Sequence, residues 1–238
     1  MTATCLNGDC LELMKDLPDK SIDLFLCDLP YGCLRSSAPG SKPDPRTGKD
    51  WIGNGCFWDV KIDLVAFWEQ VKRLCKNDKT PVIMFCNTRF GNDLINSNPS
   101  WFRYDLVWCK GWGTGFLNVN RQPIQSHEMI YVFSKKGSFY KMIKNDTPDK
   151  KKRWRAVEDG KRCPVSVIHF NMKQDKRHST AKPIELLKWL IERYSNEGDT
   201  VLDPTAGSFN SGRASLELGR NYIGMEMDKD FYEKCKIE

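Results

Sequence analysis

Short runs of apolar residues recur along the chain, many of them β-branched or aromatic. They are "SIDLFLC" (21–27), "PVIMFC" (81–86), "YDLVWC" (104–109), "EMIYVF" (128–133), "TVLDP" (200–204) and "YIGMEM" (222–227), and each predicts a strand. Two stretches between them, "DLVAFWEQVKRLC" (63–75) and "PIELLKWLIERYS" (183–195), carry apolar positions at helical spacing. The second opens with Pro183, a residue suited to a first helical turn. Strands alternating with helices predict an α/β fold whose mostly parallel sheet is covered on both faces. From Arg35 to Trp58 the periodicity disappears among Pro39, Pro43, Pro45, Gly40, Gly48, Gly53 and Gly55. That segment, 35–58, is expected to be a long mobile loop, placed where it could act as a lid.

Two of the predicted strands end in groups that do chemistry. "CDLPYG" (27–32) breaks a buried strand with Asp28, Leu29, Pro30 and Tyr31, delivering one acid and one flat ring to the rim where open α/β sheets hold their ligands. "VLDPTAGSFNSGRASLELGRNYIGMEMD" (201–228) runs from a strand ending at Asp203 through a small-residue turn at Gly207 and Gly212, then a helix, then a strand ending at Glu226. This is the order of a nucleotide-type site, with the turn approaching the ligand and the acid taking ribose hydroxyls. Phe209 stands where the middle glycine of G-x-G-x-x-G would be, and the turn has no lysine to cradle phosphates.

Composition narrows the class. With 40% hydrophobic residues in 238, residues 1–238 suffice for one domain around one core. No run reaches the roughly 18 apolar residues of a membrane span, and the N-terminus lacks the pattern of a secretion signal, so a cytoplasmic protein with no membrane partner is expected. Ten cysteines without any C-x-x-C pair and three dispersed histidines read as reduced thiols and no metal centre. The net charge of +6 is concentrated between Lys144 and Arg177, with 11 Lys or Arg against 5 Asp or Glu. There Lys151, Lys152 and Arg153 adjoin Trp154 and Arg155, the mixture expected where phosphates are neutralised and bases or sugars are touched. A solvated loop is the alternative.

Taken together these motifs resemble one family. "DLPYG" resembles the D-P-P-Y catalytic motif, and "DPTAGSFNSG" the cofactor motif, of amino-directed DNA methyltransferases that use S-adenosylmethionine (SAM). Catalytic motif first, basic region next and cofactor motif last is the order of their beta group. "HSTAKPIELLKWLI" resembles the H-P-T-Q-K-P helix of that group, "LNGDCLELMKDLPDKSIDL" its N-terminal opening, and "GTGFLNVNRQPIQSHEMIYVF" is similar to phage and prophage members. The resemblance implies a circularly permuted Rossmann-like sheet with a target-recognition insertion at 136–178, SAM as cofactor, DNA as partner, and leaves a homodimer open.

The resemblance also implies roles. The Asp28 carboxylate and the backbone carbonyl of residue 29 would accept the two N–H bonds of the target amine, and Tyr31 would stack on a base rotated out of the duplex. Leu29 replaces the family's proline, while Pro30 still biases it toward an extended backbone. Glu226 would take the ribose, and Asp9 and Cys10 would lie near the adenine of the cofactor. Asp203, Thr205, Gly207 and Ser208 would lie near its methionine end, with Thr180, Lys182, Pro183 and Asp228 along the same pocket. Adenine is expected as the target, because N4-cytosine enzymes usually carry serine at the place of Asp28. C5-cytosine chemistry needs a cysteine nucleophile in a Pro-Cys context, and the chain has only Cys163-Pro164 in reverse order. A catalytically silent nucleic-acid-binding relative is the rival from another class.

Overall fold

The computed structural model describes residues 1–32, 61–116, 119–146, 161–172 and 181–237. The predicted loop 35–58 and the basic run 151–155 lie outside the described residues. In chain order the elements are β1 (Ala3–Asn7), α1 (Cys10–Leu13), a 3-10 turn (Met14–Asp16), β2 (Leu24–Cys27), α2 (Leu64–Leu74), β3 (Val82–Cys86), α3 (Thr88–Ser97), β4 (Phe102–Thr114) and β5 (Gln125–Phe133). There follow β6 (Asn145–Asp146), β7 (Lys161–Arg162), β8 (Val167–His169), α4 (Ile184–Tyr194), β9 (Thr200–Asp203), α5 (Asn210–Glu217), β10 (Asn221–Glu226) and α6 (Lys229–Cys235).

Eight strands form one sheet in the order β1-β10-β9-β2-β3-β5-β4-β8, and β6 pairs with β7 apart from it. Pairing is parallel except where β5 runs against β3 and β4. The sheet is therefore mixed and mostly parallel, as the alternation of strands and helices predicts. Part of the segment expected as an insertion, Val167–His169, is a strand of the main sheet, beside β4.

The continuous apolar character of β2 and β3 follows from cover on both faces. Phe25 and Cys27 point into one layer with Phe67, Trp68 and Val71 of α2 and Phe90 and Leu94 of α3. Leu24 and Leu26 point into the other, with Leu186, Leu190 and Ile191 of α4 and Ala214 of α5. Each such buried side chain contributes about 1.5–3 kcal/mol. The α2 helix is set by Asp63, whose carboxylate accepts from the amides of Val65 and Ala66 at 2.8 and 3.2 Å, and by Lys72 and Arg73 in its last turn, which complement the helix dipole. Pro183 does not occupy the first turn. Its extended backbone (ψ 133°) makes it the N-cap, and α4 starts one residue later.

The periodicity of the sequence does not predict β1, α1, the 3-10 turn, α3, β6, β7, β8 or α6. In α3 a glycine interrupts the apolar pattern for a packing reason. A Cβ on Gly91 would come within 2.7 Å of the Tyr131 ring, so only glycine lets this helix lie against β5.

Phe209 is the clearest departure from local preference. It holds a left-handed backbone (φ 54°) at the start of α5, a conformation that costs a non-glycine residue about 1–2 kcal/mol. Its ring is fully buried and meets Tyr232 edge-on at 6.2 Å. Packing outweighs the strain. Phe209→Gly is therefore expected to relieve about 1–2 kcal/mol of backbone strain but to lose about 3–5 kcal/mol of core packing. Denaturant unfolding should show a net loss of about 1–4 kcal/mol; a stabilised variant would mean that strain dominates.

Candidate active site

From the C-terminal end of β2 the chain departs through α2 to β3, on one side; from β9 it departs through α5 to β10, on the other. The two strands are neighbours, with Leu24 opposite Val201 and Phe25 opposite Leu202. Such a divergence opens a crevice at the strand ends. A cavity of about 730 Å³ fills it, lined by Asp28, Leu29, Pro30 and Tyr31 after β2 and by Asp203, Thr205, Gly207 and Ser208 after β9. Asp9, Cys10, Lys182 and Glu226 complete the wall.

At the catalytic-motif end, the strand alternation of Leu24 and Leu26 continues to Asp28, and the Leu29 side chain turns into the opposite core layer. One Asp28 oxygen accepts from the Tyr31 hydroxyl at 2.8 Å, and the other takes the Lys182 ammonium at 2.5 Å. The Tyr31 oxygen also lies 2.7 Å from Glu128 Oε1. Burial, Asp28 and Glu128 all push the Tyr31 phenol up, so it remains a neutral donor. One face of its ring stacks on Phe90, centroids 5.3 Å apart and planes 26° from parallel.

Neither Glu128 nor Lys110 was singled out by sequence reasoning. Glu128 is 7% exposed and holds Lys110 at 2.9 Å and Lys182 at 3.3 Å. Burial pushes its carboxyl up, but the two ammonium groups outweigh burial and bring it down to about 2. Burial pushes the Lys182 ammonium down, and Asp28 and Glu128 outweigh that, raising it above the ordinary lysine range. The available signal was a lone acid opening an otherwise apolar strand, "EMIYVF". Lys182, expected along the cofactor pocket, lines the shared cavity and has its ammonium on the Asp28 carboxylate.

At the other end the turn is built by backbone. Gly207 takes a positive φ of 49°, and its amide donates to Glu226 Oε2 at 2.8 Å, while the Asp228 amide donates to Glu226 Oε1 at 2.8 Å. Burial raises the Glu226 carboxyl against these amides. Asp203 accepts from the Thr205 amide at 3.1 Å and from the Ser211 hydroxyl at 2.5 Å. Burial pushes its carboxyl from 3.8 up to about 7, with Asp28 and Glu226 adding to the rise. Phe209, buried in the core layer, is not part of the cavity wall, so its ring does not obstruct the turn.

Asp9 lines the cavity and also caps α1, accepting from the Leu11 amide at 2.8 Å. Cys10 contributes an apolar wall, its thiol pushed up to about 12 by burial; Cys27 and Cys86 are raised by burial as well, so none of the three is an activated nucleophile. Two expected residues are not in the wall. The Asp228 carboxylate accepts from the Phe231 amide at 2.9 Å as the N-cap of α6, and Pro183 is buried as the N-cap of α4. Thr180 lies outside the described residues.

The residues present fit SAM. Asp203 and Glu226 suit a cationic, hydroxyl-bearing ligand, and Cys10, Leu11 and Phe231 give apolar walls. The Thr205 hydroxyl, in the wall, is buried with no partner among the described residues, a donor left for a ligand.

Asp203 makes ligand-free stability fall with pH. Its folded value lies above its unfolded value, so the folded state binds the extra proton and stability declines as pH rises from about 4 to about 7. Asp203→Asn should flatten that decline in urea unfolding followed across this range, whereas an unchanged slope would show that Asp203 is charged throughout.

The DNA methylase family of N6 and N4 methyltransferases matches residues 22–236. The chain is 30% identical over 250 aligned positions to the type II methyltransferase M.HinfI of Haemophilus influenzae, covering 97% of this chain and 66% of that protein. It thus spans about two thirds of the length of that relative. It is 26% identical over 265 positions to the DNA adenine methyltransferase YhdJ of Escherichia coli strain K12, covering 96% and 79%. The M1.HpyAVI–SAM complex has the same fold, with a TM-score of 0.63 at 21% identity over 98% of both chains. So does the cytosine-N4-specific PvuII DNA methyltransferase, with 0.70 at 15% identity over 99% of this chain and 85% of that one. The family match takes in both strand ends that form the cavity, and the chain belongs to the N6 and N4 DNA methylases.

Proposed function

We propose that the chain transfers the methyl group of SAM to the exocyclic N6 of adenine in DNA, after the base has rotated out of the duplex. The observation that carries this is the Asp28 carboxylate in the wall of the same cavity as the Asp203 and Glu226 pocket. The adenine methyltransferase name of YhdJ supports adenine; the cytosine-N4 enzyme shares the fold alone.

The N6 lone pair is delocalised into the purine ring, so acceptors on its two N–H bonds must draw the nitrogen toward sp3 geometry. Asp28 accepts one and the carbonyl of residue 29 the other. The Tyr31 face opposite Phe90 receives the flipped base. When bound, SAM supplies an electrophilic methyl on a sulfonium. Glu226 accepts ribose hydroxyls while its two backbone bonds hold it still, and the positive charge nearby draws Asp203 into its ionised form. Asp28 takes the proton that N6 sheds. The basic run at 151–155 neutralises phosphates of the duplex.

Digestion of treated DNA to nucleosides should yield N6-methyl-2′-deoxyadenosine; N4-methyl-2′-deoxycytidine alone would overturn the assignment. Asp28→Ala should lose more than about a hundredfold in single-turnover transfer, since each ~1.4 kcal/mol is tenfold, with SAM affinity little changed. Near-normal transfer would remove the role given to Asp28. Replacing Lys151, Lys152 and Arg153 by alanine should lower the salt dependence of DNA binding by up to about 0.9 log unit per phosphate contact; an unaltered slope would place those charges away from DNA.

A further inference from the structure

Three neighbouring strands present one row of side chains to the α4 face of the sheet. Beyond Leu24 and Leu26, Asp28 follows directly on β2; β3 offers Phe85; β5 offers Glu128, in line with Ile130 and Val132. The Lys182 ammonium lies 5.0 Å above the Phe85 ring, between the two carboxylates. Lys110, two residues beyond Trp108 on β4, closes the row from the far side at 2.9 Å from Glu128, and Trp108 is the register partner of Glu128. Behind Lys182, its own carbonyl accepts from the Asn210 side chain at 3.1 Å. Two cations and two anions alternate: Asp28, Lys182, Glu128, Lys110.

We propose that Glu128 is a positioning residue for methyl transfer. It acts through Lys182, which it holds on one oxygen of Asp28 while also anchoring the Tyr31 hydroxyl that touches the other oxygen. This rests on the function proposed above. Asp28 can accept an N–H of the base in one orientation only if its carboxylate does not rotate, and Lys182 and Tyr31 pin both of its oxygens. Lys182 alone would not suffice. An ammonium with only Asp28 for a partner would draw that carboxylate wholly to itself and leave a positive field where charge develops on N6. Glu128 divides the attraction and neutralises the excess. Held charged by Lys182 and Lys110, it is a fixed anion and accepts no proton during turnover.

Glu128→Gln keeps the shape and an acceptor for Tyr31 but removes the charge. In single-turnover transfer at saturating SAM and DNA it should lose about tenfold to a hundredfold, the worth of one hydrogen bond to a charged group, with SAM affinity within about threefold of wild type. It should also gain a fall in rate at alkaline pH, because one of the two carboxylates that hold the buried Lys182 ammonium charged is lost and its proton leaves at lower pH than in wild type. The wild-type rate should stay flat there. Glu128→Asp, which restores the charge, should restore the flat profile. If Glu128→Gln does not fold, Lys182→Met compared with Lys182→Met/Glu128→Gln decides: equal rates support action through Lys182, and a further loss of about tenfold overturns it. A Glu128→Gln enzyme with wild-type rate and pH profile also overturns it, as does a loss confined to thermal stability and SAM affinity. A wild-type chain that forms no N6-methyladenine would sink the functional assignment itself; methylation by wild type with an indifferent Glu128→Gln would sink this inference alone.

Discussion

The parallel pairing of β2 with β9 is the contact on which the site depends. Leu24 and Phe25 come from near one end of the chain and Val201 and Leu202 from near the other, and no local preference joins them. Apolar cover on both faces brings them into the centre of the sheet. The Asp23 amide donates to the Thr200 carbonyl at 3.0 Å, and the Thr200 amide to the Asp23 carboxylate at 3.0 Å, which sets the register. Once that register exists, Asp28 and Asp203 leave the sheet at the same edge, and the connections from the two strands part to either side. The Asp28 and Asp203 segments share one cavity because of this strand pair.

The charged row shows how a low-dielectric interior tolerates ions. Burying four charged groups costs several kcal/mol per ion unless each is paired with good geometry. Here each buried cation has a carboxylate within 3 Å, and Glu128 serves two of them. Removing one member strands the others, so the row is locally all-or-none even though its sum is close to neutral. That arrangement suits the fixed orientation that the proposed methyl transfer asks of Asp28.

Much of the fold was legible from periodicity, and the reason is physical. Strands buried on both faces must be apolar throughout, so β2, β3 and β9 announce themselves. The turn at Gly207 was legible from its small residues and the acid that closes β10. What escaped depended on contacts between distant elements. Glu128 reads as an ordinary first residue of a strand until β5 is placed beside β3, and Lys182 reads as part of a cofactor helix until Asp28 is found against it. Phe209 is the opposite case: it stands at the place of the middle glycine of the motif, but its left-handed backbone sends the ring into the core. Asp9 and Asp228 illustrate how a carboxylate at a strand exit also serves as a helix cap, a role that spacing alone does not separate from ligand binding.

The edge position of β1 bears on the order in which the molecule assembles. Residues 3–7 pair with residues 222–226, so this strand has no sheet to join until β10 has been made and has docked beside β9. During synthesis the N-terminal strand must wait through most of the chain with its hydrogen-bonding edges unpaired, a state prone to association with other chains. Docking of β10 and capture of β1 belong to the same late event, and a nascent chain carries the Asp28 segment well before it has the second strand end that completes the cavity.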